Sequence, residues 1–402
     1  MKIRNLHLKN IGPFKEANLV FPTDFESETG RQPVTIITGM NGAGKSIVID
    51  AIRAALSGQP LERGIVADVN DFLIEMDVNY DGEYRHVSTS TFSNGHIAEA
   101  VGYMRVAKPL RYGYDSSEPV HRWVIDYWSA KLPSDSFRIG NMTNIKHEEV
   151  LKGVMSGRKS NVDLVNFICQ IDYLRTSDMP EEKRLGELMY KKLIEVINLC
   201  LDNGHFKYVR RSDLTPIVEQ NGAELSLEKL SSGNIFLVEH MLLLMCKMYS
   251  VAVLNQLQED EIFDLPGLLL IDEIETHLHP KWQKRVLGII RELFPNLQII
   301  LTTHSPFVVA SMDGASIYTC VSRTGYSEVC DETEKYGNMP VEEILMSDVF
   351  DVHPFNERIT KLIQQRKLLI EAGHKCEAQK IARELYLINP EYFSYLGINE
   401  CI

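Results

Sequence analysis

The sequence predicts an α/β fold, in which a mixed sheet carries an antiparallel β subdomain, a helical insertion and a helical C-terminal tail. Strand-like and helix-like segments alternate from residue 268 to residue 321, which is typical of a parallel sheet. A glycine-rich turn at 39–46 separates a short apolar run from a helical pattern. Alternating apolar residues in the first 22 positions, with a Gly-Pro turn between them, predict an edge hairpin.

Composition excludes several classes of protein. Hydrophobic residues make up 44% and charged residues 24% of the 402 positions, which is the balance of a globular protein rather than of a disordered or fibrous one. The longest apolar runs are far shorter than the roughly 20 residues of a membrane-spanning helix. The first ten residues also lack the apolar core of a signal peptide. We therefore expect a cytoplasmic protein without a membrane partner.

Charge and cysteine content limit the ligands. The net charge of −13 disfavours diffuse nucleic-acid binding, because neutralising phosphates requires clustered Lys and Arg. A nucleic acid remains a candidate partner only through a local contact. The seven cysteines include no C-x-x-C pair, which indicates reduced thiols rather than a zinc site or a disulfide framework.

The remaining pattern suggests how the chain is organised. Strand-like stretches separated by turn residues predict an antiparallel meander over 72–106. Helical spacing predicts a largely helical insertion over 146–225 and a long apolar helix over 231–257. Two helices joined at Gly373 predict a helical hairpin in the tail. The expected division is a head at 1–325 and a tail at 326–402.

The turn at 39–46 matches the phosphate-binding pattern G-x-x-x-x-G-K-[ST] in full. Backbone N–H groups of such a loop turn inward around phosphates, and the following helix N-terminus adds partial positive charge. The lysine reaches the β and γ oxygens, and the hydroxyl after it ligates Mg²⁺. The predicted nucleotide-binding residues are Asn41, Gly42, Ala43, Gly44, Lys45 and Ser46, with Ser46 also on the metal.

The sequence 267–273, Gly-Leu-Leu-Leu-Ile-Asp-Glu, predicts an apolar strand that ends in two carboxylates. Asp272 is predicted to hold Mg²⁺ together with the Ser46 hydroxyl, directly or through water. Glu273 is the natural polariser of an attacking water. The sequence leaves Glu275 open between a surface charge and a site residue.

A histidine ends the next predicted strand. His304 lies in the phrase Thr-Thr-His-Ser-Pro after residues 297–303, where an imidazole can contact the γ-phosphate or the attacking water. We predict that His304 senses whether ATP or ADP is bound.

Further motifs resemble those of a known family. Leu230-Ser-Ser-Gly-Asn234 opens a long helix about 40 residues before the Asp-Glu strand and resembles the ABC signature L-S-G-G-Q. The segment 275–280, Glu-Thr-His-Leu-His-Pro, resembles the one after the acidic strand in ABC-type ATPases of the RecF, SMC and OLD group. The resemblance covers the first 60 residues and 225–325. Ser232 and Asn234 depart from the signature, and the glutamine of a Q-loop is not recognisable.

The resemblance implies a homodimer, or a higher homo-oligomer, that sandwiches two ATP molecules. Ser231 and Gly233, at a helix N-terminus, would then contact the γ-phosphate of ATP held by the opposite subunit. ATP and Mg²⁺ are the implied cofactors, and the implied activity is ATP hydrolysis within the dimer.

The layout indicates which kind of ABC-type head this is. Leu230 follows Ser46 by 184 positions without heptads, unlike SMC arms, and the helical tail does not resemble the nuclease domain of OLD proteins. The chain is most similar in layout to the PtuA ATPases of Septu and retron anti-phage systems. That resemblance implies a separate HNH-type nuclease subunit, regulated by nucleotide state and docked on the tail.

One alternative stays open. A RecF-like DNA-repair clamp would bind duplex DNA across the ATP-bound dimer and would need basic stripes. The pairs Arg158-Lys159 and Arg210-Arg211 are the candidates, and the acidic composition favours the nuclease regulator over the clamp. An ABC transporter motor would need a Q-loop and a membrane partner, which the N-terminal strand and the Thr-Thr-His-Ser-Pro phrase argue against.

Overall fold

A computed structural model of the chain describes residues 1–23, 33–58, 61, 63–80, 82–101, 104–114, 120–130, 137, 142–157, 162–350 and 355–394. The chain divides into two compact units, Met1–Ile344 and Leu345–Ile402. The boundary expected at 325 lies inside the first unit, because the strand that begins at Tyr326 pairs with the strand before it.

The first unit opens with strands and helices whose bounds are β1 Lys2–Ile11, β2 Phe14–Val20, β3 Val34–Gly39, α1 Lys45–Ser57, β4 Leu73–Asn79, β5 Tyr84–Thr89, β6 Phe92–Ser93, β7 His96–Ile97, α2 Met104–Tyr112, β8 Val124–Trp128, α3 His147–Val150, α4 Leu164–Leu174 and α5 Pro180–Leu199. It continues with β9 Gly204–Arg210, β10 Thr215–Gln220, β11 Ala223–Ser226, α6 Ser232–Asn255, β12 Gly267–Ile271, α7 Pro280–Gln283, α8 Val286–Leu293, β13 Leu297–Thr302, α9 Pro306–Val309, β14 Ser316–Arg323, β15 Tyr326–Asp331, α10 Thr333–Tyr336 and α11 Val341–Leu345.

A ten-stranded sheet organises this unit, in the order β5-β4-β1-β2-β15-β14-β3-β13-β12-β8. The five strands from β14 to β8 run parallel to one another, and every residue of β3, β12 and β13 is buried. Apolar runs of this kind form strands that are covered on both faces. Because the strands are parallel, the carboxyl ends of β3, β13 and β12 meet at one edge of the sheet. The predicted mixed α/β sheet is confirmed.

The antiparallel half of the sheet holds the N-terminal strands. β1 pairs with β2 and with β4, and β4 pairs with β5, so the predicted hairpin and the start of the predicted meander are present. The prediction of a strand over 97–106 was wrong. In the described part of this stretch, His96–Ile97 is a strand and Val101 forms an isolated bridge to Ser88. The helix α2 buries Ala107 and Leu110, whose three-residue separation places them on one helical face.

The insertion is helical only in its first part. After α3, α4 and α5, the segment from Gly204 to Ser226 forms a three-stranded antiparallel sheet in the order β11-β10-β9. Asn221 and Gly222 both have positive φ, of 52° and 78°, as a two-residue hairpin turn between β10 and β11 requires. The Asn-Gly pair is the sequence signal of this hairpin. It was overlooked because the helical spacing that precedes it was extended through residue 225.

The long apolar helix α6 crosses the core. It is the one helix in the described ranges that is long and apolar enough to span a membrane, and 89% of its most apolar window is buried inside the protein. Its apolar surface therefore packs in the interior of the first unit.

The second unit contains the predicted helical hairpin. Its helices are α12 Glu357–Glu371, α13 Lys375–Ile388 and α14 Pro390–Phe393. Ile381, Leu385 and Phe393 form a small buried cluster. Gly373, with φ of 81°, ends α12, whereas Pro390 begins α14 instead of simply ending the helix before it.

A prediction for the core follows from Gln298 on β13. Its side chain accepts a hydrogen bond from Ile3 N (2.8 Å) and donates one to Ile3 O (2.7 Å), at a register shift of β1. We expect Gln298→Leu to lower the free energy of unfolding by about 2–4 kcal/mol, since both backbone groups would stay buried without partners. Urea unfolding measures this. The exposed Gln365→Leu is the matched control, and a similarly small change in both variants would contradict the account.

Candidate functional site

The phosphate loop joins β3 to α1 at the carboxyl edge of the parallel strands. Gly39, Gly42 and Gly44 have φ of 143°, 79° and 105°, a region that L side chains rarely adopt. A Cβ on Gly39 would lie 2.3 Å from the carbonyl oxygen of Cys320, and one on Gly44 would lie 2.5 Å from the Phe14 ring. A Cβ on Gly42 would meet no atom within 4 Å. The loop therefore packs tightly on one side and faces open space at its tip.

The other predicted loop residues differ in exposure. Asn41 is exposed, Ala43 is buried and Ser46, in the first turn of α1, is half-buried. Lys45 is 4% exposed, and its Nζ donates hydrogen bonds to the carbonyl oxygens of Gly39 and Met40, each at 2.9 Å. These bonds hold the ammonium group within the curve of the loop.

Burial lowers the pKa of Lys45, whereas the nearby carboxyl groups of Glu275, Glu273 and Asp272 act to raise it. The structure thus brings the loop lysine into electrostatic range of the acidic groups that follow β12. A lysine ammonium group close to carboxylates is an arrangement that can hold a phosphate with its metal ion.

Asp272 is fixed at the end of β12. It is 4% exposed, its Oδ1 accepts a hydrogen bond from Thr302 Oγ1 (2.6 Å), and its backbone N–H donates to Trp128 O (2.9 Å). The carboxylate is therefore held by β13 on one side, and its backbone by β8 on the other. Arg63 Nη2 lies 3.2 Å from Asp272 Oδ2.

Arg63 connects Asp272 to a second acidic residue. Its Nε lies 2.9 Å from Asp50 Oδ2, and Asp50 Oδ1 lies 2.5 Å from Arg53 Nη1. Burial raises the pKa of Asp50, and the two guanidinium groups oppose that shift. This network was not predicted from the sequence. The i, i+3 pair Asp50/Arg53 on a helix was visible, but no local pattern placed Arg63 beside Asp272.

Glu273 adopts an unusual backbone conformation. Its φ is 53°, and its N–H donates to Thr302 Oγ1 (2.9 Å). A left-handed conformation at a non-glycine residue is strained and is often found at functional sites. The Thr302 hydroxyl thus accepts from Glu273 and donates to Asp272, so one side chain sets the position of both acidic residues. Thr302 was not predicted, because a threonine within an apolar strand gives no sequence signal.

Glu275 and His304 are joined through β13 and the loop after it. Glu275 accepts hydrogen bonds from Thr303 Oγ1 (2.6 Å) and from His304 N (2.5 Å), and burial raises its pKa. Burial lowers the pKa of His304, with a further lowering from Lys45. Glu275 is therefore part of the scaffold around His304 rather than a free surface charge, which decides the alternative that the sequence left open.

The signature-like segment begins α6. Ser231 is the exposed N-cap, and its Oγ accepts from Asn234 N (3.3 Å) and donates to Asn234 Oδ1 (2.5 Å). Asn234 Nδ2 donates to Cys200 O (2.7 Å), which ties this turn to the insertion. A Cβ on Gly233 would lie 2.7 Å from His277 O, so this glycine permits close contact between α6 and the loop after Glu273.

The basic pairs considered for DNA binding have acidic partners where the structure describes them. Arg210 Nη2 lies 2.6 Å from Asp213 Oδ2, and Arg211 Nη2 lies 3.5 Å from Asp172 Oδ2. Arg158 and Lys159 lie outside the described residues. The position of a Q-loop glutamine also stays open, since the sequence 129–137, directly after β8, contains none.

Two family models match parts of the chain. One, described as an AAA domain, putative AbiEii toxin, Type IV TA system, matches residues 177–310, and another, described as an AAA domain, matches residues 5–115. The first match includes α6 and the acidic strand, and the second includes the phosphate loop. Together with the site geometry they define the chain as a P-loop ATPase, as the sequence predicts.

The chain is also similar to curated proteins named for retron and Septu systems. The chain is 25% identical over 386 residues to the "Retron Vc95 probable ATPase" of Vibrio cholerae serotype O1 biovar El Tor, covering 79% of this chain and 73% of that protein. It is 34% identical over 115 residues to the Septu protein PtuA of Bacillus thuringiensis, covering 27% of each chain. The predicted resemblance to retron and Septu ATPases is confirmed.

A solved structure, the SMC head domain from Thermotoga maritima, is similar at 16% identity with a TM-score of 0.45. The match covers 82% of this chain and 99% of that one.

A prediction for the site concerns the Thr302 hydroxyl. We expect Thr302→Val to lower ATP turnover by about 10–100-fold, because Asp272 and Glu273 both lose the group that orients them, while ATP affinity changes by less than about threefold. Steady-state hydrolysis and equilibrium nucleotide binding measure the two effects. Thr319→Val is the matched control. Thr319 is a buried threonine on β14, which is separated from β13 by β3, and its hydroxyl has no hydrogen-bond partner among the described residues. Its loss should therefore change neither quantity. Equal turnover in both variants would contradict the assignment.

Proposed function

We propose that the chain binds ATP·Mg²⁺ in the 39–46 loop, hydrolyses it within a head-to-tail dimer, and uses the nucleotide state to regulate a separate nuclease in anti-phage defence. The observation that carries the proposal is the convergence of Lys45, Asp272 and Glu273 at one edge of the parallel sheet. Ligands of open α/β sheets bind at this edge, outside the carboxyl ends of the strands.

The loop residues would hold the phosphates and the metal. The backbone of Asn41, Gly42, Ala43 and Gly44 would donate N–H groups to phosphate oxygens, and Lys45 would exchange its carbonyl partners for the β and γ oxygens. Ser46 and Asp272 supply the hydroxyl and carboxylate oxygens that Mg²⁺ prefers. When bound, the metal ion would neutralise charge that develops on the transferred phosphoryl group. Asp272 is only 4% exposed, so water does little to stabilise the charge of its carboxylate. A hard cation such as Mg²⁺ would stabilise that charge.

Glu273 is the proposed group that orients and polarises the attacking water. Its strained backbone and its hydrogen bond to Thr302 hold the residue directly beside the metal ligand Asp272. His304 is the proposed sensor of the γ-phosphate, and its lowered pKa favours a neutral ring near neutral pH. A neutral imidazole can accept a hydrogen bond from water as well as donate one to phosphate.

The second half of each site is proposed to come from the partner chain. Ser231 is exposed at the N-terminus of a 24-residue helix, where backbone N–H groups and the helix dipole favour an anion. Ser231 and Gly233 would contact the γ-phosphate that the opposite subunit's loop holds. Two chains would then be needed for turnover, and the homodimer would form only around nucleotide.

The tail is the proposed docking element for an HNH-type nuclease. Within the second unit, Leu368 and Leu387 are 65% and 80% exposed, and Ile388 and Tyr392 add further exposed apolar surface. Several large apolar side chains exposed on one small unit make it a candidate protein interaction site. The names of the retron and Septu relatives place those proteins in defence systems, which supports the same role here.

Two other predictions from the sequence remain expectations. A RecF-like clamp gains no support from Arg210 and Arg211, which both face aspartates. The cytoplasmic location also stays a prediction.

A prediction for the dimer uses Glu273→Gln. We expect this chain to bind ATP, fail to hydrolyse it, and form a stable dimer on addition of ATP·Mg²⁺, because the γ-phosphate that joins the two subunits persists. Sedimentation with and without nucleotide measures the assembly. Glu292→Gln, at an exposed glutamate on α8, should hydrolyse ATP and dimerise only transiently. A Glu273→Gln chain that stays monomeric with ATP would rule out the sandwich.

A prediction for the tail concerns its exposed leucines. We expect Leu368→Glu together with Leu387→Glu to prevent co-purification with a nuclease encoded beside this chain, while ATP hydrolysis is retained, because two charges enter an apolar contact. Lys367→Glu with Lys375→Glu is the matched control on exposed polar positions. Full retention of the nuclease by the leucine variant would place the docking site elsewhere.

A further inference from the structure

A buried ion pair joins the signature helix to the strand beside the acidic residues. Lys247 Nζ donates to Asp126 Oδ1, and the two side chains are only 7% and 3% exposed. Asp126 lies on β8 and also accepts from Tyr127 N (2.8 Å) and from Trp128 Nε1 (3.1 Å). Removing two charges from water is costly, so a buried pair of this kind need not add to the stability of the fold.

Aromatic side chains form a second contact between β8 and α6. The Trp128 ring lies 4.9 Å from the His240 ring, which lies 4.2 Å from the Phe236 ring on the same helix. Burial lowers the pKa of His240 to about 4, so the ring is neutral, and its Nδ1 lies 2.9 Å from Phe236 O. Phe236 in turn lies 6.2 Å, ring to ring, from His277 in the loop after Glu273.

These contacts occupy one face of α6. Gly233, His240 and Lys247 recur every seven residues, which is close to two helical turns, and Phe236 lies one turn after Gly233. Gly233 contacts His277, His240 contacts Trp128, and Lys247 contacts Asp126. The face therefore contacts both the loop that follows Glu273 and the strand that flanks Asp272.

The far end of this network reaches the backbone of Asp272. Trp128, the last residue of β8, accepts a hydrogen bond from Asp272 N through its carbonyl oxygen (2.9 Å). Trp128 is 1% exposed, and it touches Asp126 and His240 with its side chain. Any rotation of α6 about its axis would have to break the ion pair or move the residue that anchors Asp272.

We propose that Asp126 and Lys247 are positioning residues, which set the N-terminus of α6 relative to the chain's own Asp272 and Glu273 and thereby align the half-site that this chain offers to its partner. The inference rests on the proposed ATP sandwich and deepens it. Ser231 and Gly233 are proposed to act on the partner's nucleotide, so a change at the ion pair should appear at the site on the other subunit.

The test uses mixed dimers with a single working site. One chain carries Lys45→Ala, which disables its own loop, and the other carries Ser231→Arg, which disables its signature. The remaining site combines the loop of the Ser231→Arg chain with α6 of the Lys45→Ala chain. Two affinity tags isolate the mixed dimer, and its ATP hydrolysis is the reference rate.

The ion pair is then removed from one chain at a time by Asp126→Asn with Lys247→Met. These substitutions keep side-chain volume. The asparagine amide oxygen can still accept one of the two local hydrogen bonds on β8, which go to different carboxylate oxygens in Asp126. Placed in the Lys45→Ala chain, the substitutions should lower the reference rate at least tenfold. Placed in the Ser231→Arg chain, they should lower it less than twofold. Nucleotide binding to each separate chain that keeps its Lys45 should change less than twofold.

Equal losses from the two placements, or no loss from either, would overturn the inference, because a merely structural pair has no preferred side. Asp172→Asn with Arg175→Met removes a pair in the insertion, whose atoms lie 2.7 Å apart, and should give equal, small effects in both placements. Thermal unfolding of each variant checks that the fold is retained. A reference dimer that is inactive, although the unsubstituted chain hydrolyses ATP, would instead contradict the sandwich itself.

Discussion

The hydroxyl of Thr302 is the contact on which the arrangement of the acidic residues depends. It donates to Asp272 and accepts from Glu273, so one side chain on β13 fixes two residues that follow β12. This is possible only because β12 and β13 are parallel neighbours that end at the same level. The β3 strand on the other side of β13 delivers the phosphate loop to the same edge. Sheet topology thus converts three separate segments of sequence into one site.

Electrostatics explain why the site needs a charged ligand. Burial acts to lower the pKa of Lys45 and to raise the pKa of Glu275, which means that both charged forms lose hydration in this cleft. Arg63 partly offsets the negative charge of Asp272 and Asp50. A metal ion with its phosphates would bring two positive charges to the carboxylates and negative charge to the lysine. The site is therefore arranged to gain most from a ligand that carries both signs.

Motifs in which chemistry fixes the spacing could be predicted from the sequence. Lys45 and Ser46 had to follow a glycine turn, and Asp272 had to end an apolar strand, because phosphate and metal contacts allow few alternatives. Thr302 and Arg63 could not be predicted, since their partners are distant in sequence and each residue type is common. The three-stranded sheet at 204–226 was missed because the helical spacing before it extended the pattern. The helix α2 was missed because Pro109 lies inside it, and proline is unfavourable in a helix interior. Contacts between distant segments, rather than local propensity, decide these cases.

Each proposed ATP site combines the phosphate loop of one chain with α6 of the other. ATP hydrolysis should therefore require two chains. The measurement that tests it most directly is ATP hydrolysis per chain as a function of protein concentration, compared with the dissociation constant of the nucleotide-bound dimer from sedimentation. The account predicts that hydrolysis per chain rises with concentration and reaches half its maximum near that constant. Hydrolysis per chain that stays constant at concentrations where sedimentation detects only monomer would contradict it.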